Sequence, residues 1–144
     1  MKLILTSRPF SILKPMSWVN ATTRAITNSP FDHVALLDDY TIFESAAGEG
    51  VNNMPYRTWI KDRKGSYLFM YNVPSDFFVS FNAYYKLHGR KYDYKANILF
   101  LLRLKKKLKK CSTKRLFCSE LIATMLNLRE PYLYTPCDIE AFAR

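Results

Sequence analysis

Residues 31–46 read FDHVALLDDYTIFESA, and their reading decides the fold class. Apolar and β-branched residues fill the runs on either side of Asp38-Asp39, the pattern of two strands joined by a tight turn. A two-residue connection at Asp38-Asp39 sets Leu37 opposite Tyr40 and Leu36 opposite Thr41. It carries on to Val34 opposite Phe43 and His33 opposite Glu44. Opposed residues on antiparallel strands project to the same side, with Cβ atoms about 4.5–5.5 Å apart. An imidazole and a carboxylate so placed can hydrogen-bond. A carboxylate on one ring nitrogen fixes the tautomer and leaves the other nitrogen free to take a proton.

Working outward, LILT at residues 3–6 reads as a first strand, and Trp18–Ile26 has helical spacing. SYLFMYNV reads as another strand. A helix is expected from an N-cap at Ser75 to Gly89. PYRTWIK fits one helical turn, with Trp59 as core or cleft wall. KANILFLLRLKKKLKK fits either a helix or a strand running into a basic turn. Helices and strands alternate without the βαβ rhythm of a parallel sheet. The expected class is α+β: a mostly antiparallel sheet with packed helices, in one domain over residues 1–144.

Composition narrows the function. With four Gly and no GxGxxG or GxxxxGK[ST] pattern, there is no nucleotide loop. Net charge is +10, and eight of the 22 Lys and Arg fall between Arg103 and Arg115. Such a run suits an anionic partner, or simply a solvated face. Cys111, Cys118 and Cys137 are odd in number and lack CxxC spacing, a poor basis for disulfides or zinc. No cofactor or metal is expected. The N-terminus lacks a signal-peptide pattern and no apolar run is long enough to span a bilayer, so the expected location is cytoplasmic.

Cys118 opens the stretch CSELIATMLNL, where residues 118, 121, 122 and 125 follow one helical face. Most free cysteines on such a face are inert core. At a helix start, however, unpaired backbone N–H groups and the macrodipole stabilise a thiolate. The amides of Cys118 and Ser119 could hold an oxyanion there. Glu120, in the same turn, reads as a charged acid favouring the helix.

SPFDHVALL, IFESA, YDY and FCSELI together resemble the circularly permuted branch of the NlpC-type papain-like superfamily, the YiiX-like group. The resemblance spans Trp18 to Leu128. It implies a permuted papain-like fold with Cys118 as nucleophile, His33 as base and Glu44 as third polar residue. It also implies a structural motif at Tyr92-Asp93, and a downstream tyrosine that Tyr132 or Tyr134 would match. The activity so implied is that of a cysteine hydrolase or acyltransferase acting on an amide, ester or thioester. The alternative is a non-catalytic basic protein of the same fold that binds nucleic acid or an acidic membrane.

Overall fold

A computed structural model describes residues 1–9, 21, 24, 25, 29–95 and 115–144. The helix expected at 18–26 lies mostly outside these residues. So do Cys111 and, apart from Arg115, the basic run.

The chain is α+β. Five antiparallel strands form the main sheet: β1 (Lys2–Ser7), β2 (His33–Asp38), β3 (Thr41–Ala46), β4 (Gly50–Pro55) and β5 (Tyr67–Asn72), in the order β4-β3-β2-β1-β5. A small parallel pair, β6 (Lys91–Tyr92) and β7 (Arg115–Leu116), lies beside it. Four helices are defined among the described residues: α1 (Tyr56–Asp62), α2 (Phe81–Leu87), α3 (Cys118–Met125) and α4 (Pro136–Ala141). None of the described helices is long and apolar enough to cross a membrane.

Strands β1 and β2 carry apolar residues at successive positions, Leu3 to Leu5 and Val34 to Leu37, because both faces of the sheet are covered. Leu3, Leu5, Val34, Leu36 and Phe43 point to one face, against Leu121, Ile122 and Met125 of α3 and Tyr84 of α2. The intervening Ile4, Ala35 and Ile42 point to the other face, against Trp59 of α1. Each fully buried Leu or Ile stabilises the fold by about 1.5–3 kcal/mol. Phe43 anchors the larger face with edge-on contacts to Tyr84 and Phe81, at centroid distances of 4.8 and 5.1 Å.

Helix α2 starts later than expected. Its N-cap is Ser80, whose hydroxyl accepts the Ala83 N–H at 3.2 Å, while Ser75 lies in a turn. Phe77 and Val79, two apart, pack on the core, and the Ser80 N–H donates to the Met125 carbonyl at 2.7 Å. These contacts hold residues 77–80 outside the helix. Gly89 does follow the helix end in a left-handed conformation, at φ 78°.

A ladder of backbone hydrogen bonds ties the sheet to the start of α3. The Val51 N–H donates to the Arg90 carbonyl and the Gly89 N–H to the Val51 carbonyl, both at 2.8 Å. Strand β6 follows directly and pairs with β7, which leads into Cys118. The Ser45 hydroxyl reaches across from β3 to the Leu116 carbonyl at 2.7 Å. Gly50 permits this approach: its φ is +80°, and a Cβ there would lie 2.2 Å from the Arg90 carbonyl oxygen. Gly50→Ala is expected to cost about 2–3 kcal/mol through left-handed strain and the forced separation of residues 50 and 90. A urea midpoint unchanged from that of the parent chain would refute this account of the ladder.

Candidate active site

The hairpin turns one residue later than the sequence suggests. Asp39 and Tyr40 form the turn, with Asp38 opposite Thr41, Leu37 opposite Ile42 and Leu36 opposite Phe43. Asp39 takes the left-handed conformation that a tight hairpin turn requires, at φ 49°. This register also pairs Leu36 with Phe43 on the larger apolar face. His33 and Glu44 are therefore not directly opposed. Relative to the expected pairing the strands are shifted by two residues, and a shift of two preserves the face of every side chain. The pair becomes a diagonal one, a separation that long side chains still bridge.

They do bridge it. The His33 Nε2 lies 2.6 Å from Glu44 Oε2. The same oxygen accepts the Trp59 indole N–H at 2.8 Å and an Arg63 Nη2 hydrogen at 2.9 Å. Trp59 and Arg63 are four residues apart at the end of α1, and the Arg63 guanidinium lies 5.0 Å from the Trp59 ring centroid. Burial alone would raise the Glu44 pKa. The hydrogen bond and charge of His33, the charge of Arg63 and the Trp59 donor bring it down instead, to about 2. An ionised carboxylate only accepts, so the Nε2 of His33 carries a hydrogen and Nδ1 is the nitrogen left for another partner.

Cys118 neighbours the same ring. Burial alone would discharge His33, but the nearness of Cys118 and the hydrogen bond to Glu44 outweigh it and raise the His33 pKa to about 9. By strand alternation His33 shares the Trp59 face with Ala35, whereas Cys118 belongs to the cluster on the other face. Contact is possible because His33 is the first residue of β2 and Cys118 the first of α3. Cys118 is 5% exposed. The N-cap of its helix, Phe117, makes no side-chain cap hydrogen bond. The amides of Cys118 and Ser119 lie in the first turn, where no intrahelical acceptor exists. The Ser119 hydroxyl is turned elsewhere, to the Tyr134 carbonyl at 2.7 Å.

Glu120 differs from the charged acid expected. It is buried, its Oε2 has no hydrogen-bond partner among the described residues, and its pKa is pushed up to about 8. Burial is the main cause and the charge of buried Asp93 adds to it, while a backbone hydrogen bond at Phe117 opposes both. Glu120 is thus neutral at pH 7 and does not repel a thiolate there. Asp93 follows β6, and its N–H donates to the Leu116 carbonyl at 3.1 Å beside the Cys118 turn. Tyr132 hydrogen-bonds to Glu130 at an exposed site, and Tyr134 contributes its carbonyl to Ser119.

A cleft of about 200 Å³ opens on the imidazole side, lined by His33, Glu44, Trp59, Arg63, Arg8 and Tyr92 among others. Cys118 is not part of its lining. Three supports escape a reading of the sequence. Arg63 and Arg8 carry no local signal beyond their charge. Asp32 fastens the start of β2 by accepting the Arg8 N–H at 2.9 Å and the Thr6 hydroxyl at 3.3 Å. Among the described residues, no group of three His, Cys, Asp or Glu could hold a metal ion.

No family model matches the sequence. No curated protein matches it either.

These pKa directions set the pH dependence of stability. The depressed Glu44 pKa contributes stability present above about pH 4.5 and lost as pH falls towards 2. Glu120 takes up a proton on folding between about pH 4.5 and 8, so its contribution declines as pH rises through that window. The raised His33 pKa contributes stability that is complete below about pH 6.5 and lost as pH rises through 9. Urea midpoints measured across pH should show Glu120→Gln more stable than the parent at pH 7. Glu44→Gln should have a shallower acid limb. A Glu120→Gln curve superimposable on the parent would rule out a buried neutral acid.

Proposed function

We propose that this protein is a cysteine-dependent hydrolase or acyltransferase, with Cys118 as nucleophile, His33 as general base and acid, and Glu44 as the residue that orients His33. The observation carrying this reading is the His33 imidazole held by Glu44 at 2.6 Å on Nε2, with Cys118, at the start of its helix, near enough to raise the His33 pKa. The order of histidine strand before cysteine helix is that of the permuted papain-like, NlpC-type architecture, which we propose for the fold.

In this mechanism the Cys118 proton passes to His33, and the thiolate sulfur attacks the carbonyl carbon of an amide, ester or thioester. The carbonyl π electrons move to oxygen, where the first-turn amides of Cys118 and Ser119 receive the developing charge. Collapse of the tetrahedral species expels the leaving group, which takes the proton from His33, and an acyl-enzyme thioester remains. Water, or a second acceptor, then gives its proton to His33 and attacks the thioester, releasing the acyl product and returning the thiol. Glu44 holds the ring tautomer throughout and stabilises the imidazolium. The chemistry requires a reduced thiol, in keeping with a cytoplasmic location.

The charge of +10 favours a second reading, in which the fold binds nucleic acid or an acidic membrane without catalysis. Alkylation separates the two. At pH 7 iodoacetamide should modify Cys118 faster than Cys111 or Cys137 despite its burial, as read by peptide mass spectrometry. His33→Ala should slow that reaction by roughly a hundredfold. Equal rates at all three thiols, or a Cys118 rate indifferent to His33, would leave the binding reading in possession.

A further inference from the structure

Two guanidinium groups face the cleft beside His33. Arg63 gives one Nη2 to Glu44, and its buried Nε has no hydrogen-bond partner among the described residues. Arg8 follows directly on β1. Its amide binds Asp32 and its carbonyl accepts from Arg24, but its guanidinium makes no ion pair among the described residues.

The acids around the same cleft are already engaged or peripheral. Asp32 serves Thr6, the Arg8 amide and Arg24, and Glu44 serves His33, Trp59 and Arg63. Glu49 accepts from Asn52 at 2.5 Å, and both Glu49 and Asp62 are exposed at the rim. Burial and the neighbouring charge of Arg63 both lower the Arg8 pKa, while Asp32 and Glu44 offset them only in part. Two like charges are therefore held in one recess, and neither guanidinium has all its donors engaged among the described residues. A planar oxyanion placed there would accept from both forks and relieve their repulsion.

We propose that Arg8 and Arg63 form an oxyanion subsite, so that the acyl donor handled at Cys118 carries a carboxylate or phosphate bound beside His33. The substrate role rests on the thiol-enzyme reading above; the anion site itself rests on the cleft. A recess of about 200 Å³ suits a small charged group and not a bulky acyl chain. The acyl portion then lies outside this recess, and the anion fixes which carbonyl reaches the sulfur.

The test is a nuclear magnetic resonance titration of the full chain at low ionic strength, with inorganic phosphate and, separately, with glutarate. Saturable shifts are expected at the Trp59 indole and the Arg63 Nε–H. Arg8→Gln should weaken binding by about tenfold or more, and Arg8→Lys by less. Saturation by one anion alone identifies phosphate or carboxylate as the group recognised. Linear shifts in the parent chain, shifts that avoid Trp59 and Arg63, or equal affinity in Arg8→Gln would overturn the subsite. The parent titration decides the matter even if Arg8→Gln does not fold. A Cys118 inert to iodoacetamide alongside saturable binding would remove the thiol-enzyme role and keep the anion site. A reactive Cys118 without saturable binding would remove the anion site alone.

Discussion

One carboxylate oxygen, Glu44 Oε2, gathers three donors from two different elements: the first residue of β2, a buried indole on α1 and the guanidinium that caps α1. An ionised carboxylate in so enclosed a place is tolerable because one of its oxygens meets three donors, one of them the charged Arg63 guanidinium. The arrangement orients the imidazole and also joins α1 to the sheet. Orientation of the His33 ring and integrity of that face of the fold are consequently one interaction.

The position of the sulfur depends on a different set of bonds. Cys118 lies across the sheet from the Trp59 cluster, and its reach to His33 requires both side chains to stand at the ends of their elements. The β4–Arg90 ladder, the β6–β7 pair and the Ser45 hydroxyl together set where β7 ends and α3 begins. Leu121, Ile122 and Met125 then fix the roll of the helix on the sheet. Two independent frameworks, one on each face, thus converge at a single edge. Such convergence brings the starts of β2 and α3 together without demanding that either residue be placed by a loop.

Charge is unevenly handled at this edge. Glu44 is kept ionised by its donors, whereas Glu120, in the same helical turn as Cys118 and near the charge of Asp93, is kept neutral. Two carboxyls within one small region are thereby driven in opposite directions by their surroundings. That contrast leaves negative charge beside His33 and removes it from the first turn of α3.

The sequence by itself determined the local periodicities: the hairpin strands, the helix opened by Cys118, the α+β class and the shared face of His33 and Glu44. These follow from spacing of two and of 3–4 residues, which near neighbours in the chain enforce. The face survived a misplaced turn because only an odd shift exchanges faces. Tertiary structure alone decided the rest: the turn at Asp39-Tyr40, the start of α2 at Ser80, the neutral state of Glu120, and the recruitment of Trp59, Arg63 and Arg8 to the site. Each depends on which surfaces become buried together across long stretches of chain, and on the desolvation that burial imposes. No local pattern of residues carries that information.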